Sequence, residues 1–492
     1  LALDLGTSSL HCAITDVKGR VLASSASRVQ VRTPRDGPRL ARELDAQKIM
    51  ADVTHLVTRC LKDANISARD IRAVGVTGQR QGIALLDGDD KELMLSPNID
   101  LRASFEGLAM QEEWGIEVYK TTGHFPLLLL APAKIHWARK NKPDIIHRLR
   151  HLLTLPGWLV YRLTGEATCE ASLAASTGLL NIYNRQRPAS LLSNIGVPME
   201  KLPPLAESGA VAGILKESAA KSLGLLPGIP VTLAGADTQC GLLGMGLMDY
   251  GQTGVVAGWS CAVQSITKQP RHDTQMNFWT GCYPIDGMWT LEANLGDAGN
   301  AHRWLKEMLM GKEMPWEYAD SLAEATEPGS EGVTCFLGPS LSSAPRAKLQ
   351  RGGITFNTPL SYEETNPGQI LHAFYENLAY SLKENVPAME KVNGYSSETL
   401  HIGGGMAQSA VLAKTIADVI GRPVRRATGP DVSSIGASMA AASAAGIYSN
   451  LSEACREMAS DLEVFEPEMV RTLEYQELFQ QWKLLYQRIQ DS

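Results

Sequence analysis

The sequence predicts an α/β protein built as two halves, each opening on a strand that runs through a glycine turn into a second strand. Three observations carry this. Residues 1–9 read Leu-Ala-Leu-Asp4-Leu-Gly6-Thr7-Ser8-Ser9, an apolar strand holding one carboxylate, then a glycine turn followed by hydroxyls. Residues 252–258 repeat the strand and turn, ending at Gly258, with another strand at 261–267. Residues 230–247 give an apolar strand, Gly235, and a helix that starts at Asp237. The division falls near 245–250, so domains are expected over 1–246 and 247–492.

In chain order, strands are expected at 1–5, 10–15 and 21–27, the last beyond a Lys18-Gly19 turn. Residues 42–63 carry Ile49, Val53, Leu56, Val57, Cys60 and Leu61 at helical spacing. Strands follow at 71–76 and 82–86, and a helix near 130–142. The later half adds helices near 297–310 and 366–391, and a strand–turn–helix at 398–420 holding Gly403-Gly404-Gly405. The last run, 475–489, repeats Leu478, Phe479, Trp482, Leu485, Tyr486 and Ile489 at helical period, so it packs on the second half or across a homodimer contact.

Composition narrows the function. The 492 residues suffice for two or three domains, and 20% charged with 44% hydrophobic residues is a globular balance. A formal charge of −7 argues against nucleic acid and membrane surfaces, both polyanionic. No stretch reaches the ~18 apolar residues needed to span a bilayer. The eight scattered cysteines form no C-x-x-C pair, which fits a reducing cytoplasm better than a disulfide or metal framework. The ten histidines show no metal spacing. Leu1 is not methionine and already lies in a strand, so a few residues are expected ahead of it.

The opening turn suits phosphate. Backbone N–H groups and the Thr7, Ser8 and Ser9 hydroxyls can cradle phosphate oxygens, and Asp4 beside them can hold Mg²⁺ directly or through water. A plain strand turn would use the same residues. Asp237, where a strand meets a helix, is either a helix cap or a general base that takes the proton of an attacking sugar hydroxyl. The triple glycine lets a flat ring or a phosphate lie against bare backbone, although a simple turn needs it too. Trp137 and Trp158 read as core residues, and Lys134 as a solvated or snorkelling side chain.

Asp4-Leu-Gly-Thr, Gly-Ala-Asp237 and Gly403-Gly-Gly, in this order and spacing, resemble the FGGY family of carbohydrate kinases. Gly78-Gln79-Arg80, Pro132-Ala-Lys-Ile-His-Trp137, Arg162-Leu-Thr-Gly-Glu166, Gly299 with Arg303-Trp304, Gln369-Ile-Leu-His-Ala-Phe-Tyr-Glu376 and Gly436-Ala437 agree. The resemblance implies an actin-like, ribonuclease-H-like ATPase fold in two lobes with a cleft between them. It also implies ATP-dependent phosphorylation of a small sugar or polyol. On it, Asp237 is the catalytic base, and Asp4 and Asp237 face Mg²⁺. Gly6, Thr7 and Ser8 form one phosphate turn; Gly258 and Ser260 form the other. Gly299, Arg303, Gly404, Gly405 and Ser409 line the adenosine pocket, and Arg80, Gln81 and Asp100 touch substrate hydroxyls.

Four departures stand out. Where the family's second phosphate turn reads Gly-Thr, this chain has Gly258-Trp259-Ser260, so either Ser260 supplies the hydroxyl after a one-residue shortening or the backbone acts alone. Ser342-Ser-Ala-Pro345 lacks the charges of the family's Gly-Glu-Arg-x-Pro. Gln81 stands where glycerol kinases carry Glu, and Thr238 follows Asp237 where several relatives have Gln or Asn. The substrate segments, Gln79-Arg-Gln-Gly and Asn98-Ile-Asp-Leu-Arg, are similar to branches acting on xylulose-like ketoses and on autoinducer-2. A sugar-binding regulator that lost activity and a sugar-independent actin-like ATPase are the competing readings.

Overall fold

The computed structural model describes residues 1–342, 351–357 and 366–491. Beyond Ser342, the Ser342-Ser-Ala-Pro345 segment lies outside the described residues. The chain forms two compact units. The first gathers Leu1–Met248, Ile266–Leu291 and Asp431–Ser460; the second gathers Asp249–Ser265, Glu292–Pro430 and Asp461–Ser492. Both are α/β.

The first unit is built on a six-stranded sheet in the order Gly213–Ile214, Pro230–Ala236, Val74–Gly78, Ala2–Leu5, Ser9–Thr15, Val21–Arg28. Pro230–Ala236, Val74–Gly78 and Ala2–Leu5 run parallel, and Ser9–Thr15 returns antiparallel. The parallel strands read as continuous small and apolar runs because both faces are covered. Leu3, Leu5, Val74, Val76, Val231 and Leu233 all belong to one buried core. Helix Ala46–Asp63 starts where the Asp45 carboxylate caps the Lys48 N–H, and it lays Ile49, Val53, Leu56, Val57 and Cys60 onto that core.

Helices Asp237–Gly244 and Val432–Ala444 pack backbone to backbone. A Cβ on Gly436 would fall 2.0 Å from the Cys240 carbonyl oxygen, and one on Gly244 would fall 2.0 Å from that of Val432. Gly436 is therefore required by helix packing, which the sequence alone cannot show.

A second sheet sets Cys261–Thr267, Thr253–Ala257, Leu400–Gly403, Val424–Ala427 and Leu462–Phe465 side by side in that order, all in the second unit except Ile266 and Thr267. The middle three are parallel. Helix Pro367–Asn393 begins at a reciprocal Asn366/Gln369 capping box with Pro at its first turn. The C-terminal helix Met469–Asp491 packs on it: the Trp482 indole N–H donates to Asn377 Oδ1 at 3.1 Å, and Lys483 pairs with Glu384 at 2.7 Å. All eight cysteines are buried free thiols. Among the described residues, no helix is long and apolar enough to cross a membrane.

Candidate active site

Leu5, Gly78 and Ala236 sit in one register row across the three parallel strands of the first unit. The next residues, Gly6, Gln79 and Asp237, therefore leave the sheet side by side at its carboxyl edge, where α/β sheets place their ligands. Asp237 owes its aim to an irregularity. The register shifts between Leu233 and Gly235, and Gly235 has φ +123°, a conformation side chains avoid. The Ala236 N–H donates to Ser172 Oγ at 2.9 Å. Ala236 takes the cap position, so Asp237 is the first helical residue and is half-buried. Its Oδ1 accepts from the Thr238 N–H at 2.8 Å, and its carbonyl accepts from Ser433 Oγ at 2.9 Å.

The turn after Leu5 closes with the Gly6 N–H donating to the Ser9 carbonyl at 3.0 Å. Gly6, Thr7, Ser8 and Ser9 remain partly exposed. Asp4, just inside, is buried, and its Oδ1 has no hydrogen-bond partner among the described residues. Burial, and then the charge of Asp431, push its carboxyl up to about 7. A cation would hold such a group in its charged form. Asp431 was not singled out from sequence; Pro430-Asp431 before an apolar helix reads only as a helix start. His11 faces Asp4 across the antiparallel pair, and burial holds its imidazole below the ordinary value against the opposing pull of Asp431. Among the described residues, no set of three or more His, Cys, Asp or Glu forms a metal cage.

At the same edge, the Gln79 amide links two segments: Nε2 donates to the Gly6 carbonyl at 2.9 Å, and Oε1 accepts from the Asn98 N–H at 2.9 Å. The Arg80 guanidinium lies over the Trp279 ring, 5.5 Å from its centroid. Trp279 is a further residue that sequence patterning did not reveal. Gln81 has φ +63°, an outlier for a residue with a side chain, of the kind that gathers at functional sites.

Asp100 is fully buried. Its oxygens accept from Ser96 Oγ, the Arg42 N–H, the Arg102 N–H and Arg102 Nε at 2.5–3.2 Å. That set fills its acceptor sites, so the carboxylate braces the 97–102 loop from inside instead of facing a ligand. Arg102 in turn lies over Trp137 at 4.9 Å.

Lys134 requires a correction. Expected to be solvated or snorkelling, it is fully buried, and its Nζ donates to the Gln81 carbonyl at 3.1 Å and to the Pro97 carbonyl at 3.0 Å. It ties together the segments around Gln81 and Pro97, which lie 53 and 37 residues away. Burial lowers its ammonium from 10.5 to about 8, although Asp100 pulls the other way. The unfolded chain thus binds this proton more tightly, so stability should rise between about pH 8 and 10.5. Urea unfolding of the wild type and Lys134→Met across that range checks this. The wild type should gain stability relative to the variant as pH rises; parallel curves would show that the lysine does not titrate in the fold.

The second unit repeats the strand-end arrangement. Val256 pairs with Gly403, so the Gly258 and Gly404 turns emerge together. Gly404 has φ +99°, and a Cβ there would fall 2.8 Å from the Ala257 carbonyl oxygen. The Gly258 N–H donates to the Ser260 carbonyl at 3.0 Å. This turn is one residue shorter than the one at Gly6, whose partner is three positions on. Helix Ala298–Met310 starts on it: the Gly299 N–H donates to the Trp259 carbonyl at 3.0 Å, and a Cβ on Gly299 would fall 2.0 Å from the Gly258 carbonyl oxygen. Arg303 donates to Asn300 Oδ1 at 3.1 Å. Gly405 has open space around it. Ser409 is committed locally, capping the Leu412 N–H at 3.1 Å and donating to Asp320 at 3.0 Å. Asp320 also accepts from Tyr375 OH at 2.6 Å, and Tyr375 meets His302 Nε2 at 3.1 Å. Burial lowers His302 to about 3, so it is neutral and bridges the helix bearing Gly299 to the helix bearing Tyr375.

Residues 1–244 match the N-terminal domain of the FGGY family of carbohydrate kinases, and residues 254–445 match its C-terminal domain. The chain belongs to this family: it is a carbohydrate kinase with the two-lobed α/β fold. It is 29% identical to an autoinducer-2 kinase of Klebsiella pneumoniae subsp. pneumoniae, over 99% of this chain and 93% of that one. Among solved structures, a gluconate kinase from Lactobacillus acidophilus superposes with TM-score 0.84 at 19% identity, covering 100% of this chain and 98% of the other. A xylulose kinase from the same organism superposes with TM-score 0.83 at 20% identity, covering 99% and 98%.

Proposed function

We propose that this kinase transfers the γ-phosphoryl group of ATP to a terminal hydroxyl of a small ketose, with a five-carbon ketose such as xylulose as first candidate. The observation that carries the reading is the Leu5–Gly78–Ala236 row, from which the phosphate turn, the Arg80–Gln81 segment and Asp237 emerge at one edge. Arg80 donates to substrate oxygens. Gln81 can both donate and accept, which suits a carbonyl or a hydroxyl better than a Glu would. Asp237 takes the hydroxyl proton as the substrate oxygen bonds to phosphorus and the ADP oxygen departs with the bridging electron pair. In this reading Asp100 and Lys134 hold the sugar-binding segments in place.

The reading assigns residues 1–246 to the sugar, first phosphate turn and base, and 247–492 to the nucleotide, except the stretches 266–291 and 431–460, which return to the first unit. Gly6, Thr7 and Ser8 take one set of phosphate oxygens, and Gly258 and Ser260 another. Gly299, Arg303, Gly404 and Gly405 receive the adenosine, with Ser409 as their support. The unpartnered Asp4 oxygen, with Asp431 nearby and Asp237 at the same edge, fits Mg²⁺. Bound there, the ion would neutralise phosphate charge. The buried free thiols suit a cytoplasmic enzyme.

Autoinducer-2 is the second reading, favoured because curated relatives at 27–29% identity over 99% of this chain are autoinducer-2 kinases. ADP formation should be measured with pentuloses, hexuloses, alditols, aldonates, glycerol and autoinducer-2. A pentulose should give the highest kcat/KM. Preference for autoinducer-2 would select the second reading, and preference for glycerol or an aldonate would defeat both.

The short second turn carries its own expectation. A Trp side chain has one N–H and much bulk, whereas Ser260 offers a hydroxyl. Ser260→Ala should raise the KM for ATP more than Trp259→Phe does in steady-state assays. The reverse order would move the phosphate contact to Trp259.

A further inference from the structure

Asn98 joins the substrate-side loop to the phosphate turn in a way that the kinase assignment does not call for. Its backbone N–H is fixed by Gln79 Oε1 at 2.9 Å, and the same Gln79 side chain grips the Gly6 carbonyl at 2.9 Å. Its side-chain Nδ2 donates to Thr7 Oγ1 at 2.8 Å. Its Oδ1 is buried and has no hydrogen-bond partner among the described residues. Asn98 therefore touches the turn only as a donor.

A hydroxyl has one hydrogen to give and two lone pairs to receive with. Once Thr7 Oγ1 accepts from Asn98, its own hydrogen is left to point elsewhere. Phosphate oxygens only accept, so the Thr7 hydroxyl serves them only if it donates. A side chain in the place of Asn98 that accepted instead would draw the Thr7 hydrogen inward and present lone pairs to the phosphate.

We propose that Asn98 is a positioning residue that sets the donor polarity of Thr7, so that the first turn offers an O–H to a nucleotide phosphate. The inference rests on the reading of Gly6, Thr7 and Ser8 as a phosphate turn. Gln79 holds Asn98 at the right height by tying its backbone to the turn, so the substrate-side loop and the phosphate turn are set as one polar unit.

The test is a double-mutant cycle read by calorimetric binding of a non-hydrolysable ATP analogue with Mg²⁺, which needs no knowledge of the sugar. Adenosine binding serves as the control for an intact fold. Thr7→Ala should weaken the analogue about 10-fold or more, the effect of losing a hydrogen bond to a charged group. Asn98→Ala, which leaves the Thr7 hydroxyl in place but unfixed, should weaken it several-fold and by less than Thr7→Ala, and the double variant should be no weaker than Thr7→Ala alone, because Asn98 acts through Thr7. Asn98→Asp, nearly isosteric and able only to accept, should lose at least as much as Asn98→Ala. Adenosine should bind all four alike.

Multiplying losses in the double variant, or an Asn98→Asp protein that binds the analogue like the wild type, would overturn the proposal. So would a silent Asn98→Ala beside a damaging Thr7→Ala; the phosphate-turn reading would then survive without it. A silent Thr7→Ala would instead remove the phosphate-turn reading, and the proposal with it. If Asn98→Ala does not fold, Asn98→Asp and its double with Thr7→Ala carry the same cycle.

Discussion

Asp237→Asn should lower kcat by about 10²–10⁴-fold, the contribution of a positioned general base, while the protein stays folded. Asparagine keeps the shape and still offers an oxygen to the Thr238 N–H, which Asp237 Oδ1 engages at 2.8 Å. The main-chain bond from Ser433 is untouched because it reaches the carbonyl. What disappears is the ability to accept a proton. Rates should be compared at saturating ATP and sugar, with thermal melting as the check on folding. Turnover within a few-fold of wild type in a folded variant would remove Asp237 from the chemistry and leave it as a helix-start residue.

Gly436→Ala should cost the protein about 1–3 kcal/mol or more, as overpacking of a well-filled site does. The added carbon would fall 2.0 Å from the Cys240 carbonyl oxygen, a backbone atom in a helix that cannot rotate away. Gly244 meets the same helix pair from the other side, 2.0 Å from the Val432 carbonyl oxygen. Relief requires the Val432–Ala444 helix to move off Asp237–Gly244, which also disturbs the Ser433 bond to Asp237. Activity should therefore fall along with stability. Urea denaturation compares the two proteins. A midpoint unchanged from wild type would mean that the helices are not held this close.

The sequence was most informative where chemistry sits at strand ends. The three parallel strands of the first sheet were visible as short apolar runs, and the residues that follow two of them, Gly6 and Asp237, stood out because a glycine turn with hydroxyls and a carboxylate after such a run suit phosphate and proton chemistry as well as a plain turn or a helix cap. Register was not visible. Nothing in the linear pattern says that Leu5, Gly78 and Ala236 fall in one row, yet that row carries the functional reading. The helix beginning at Ala46 shows the smaller limit: its periodic residues were plain, while its start was set by the Asp45 cap.

Long-range partners were also hidden. Lys134 read as a solvated or snorkelling lysine because its carbonyl partners, Gln81 and Pro97, are far away in sequence. Asp100 was expected to touch substrate hydroxyls, with pairing to other residues as the alternative; its burial and the Arg42 N–H, 58 residues earlier, were not legible in the pattern. Trp279 and Asp431 belong to later stretches that return to the first unit, so no local motif tied them to Arg80 or Asp4. The C-terminal helix was legible as amphipathic, but its cover, the helix bearing Asn377 and Glu384, was not.

The most direct test of the central claim is the position of the phosphate in the product. The preferred ketose of the panel should be incubated with ATP and Mg²⁺, and the product examined by phosphorus-31 nuclear magnetic resonance with proton coupling. One ADP should form per sugar ester, and the phosphorus should couple to the two protons of a terminal carbon. A phosphate on a secondary hydroxyl, or ADP with inorganic phosphate and no sugar ester, would contradict the account.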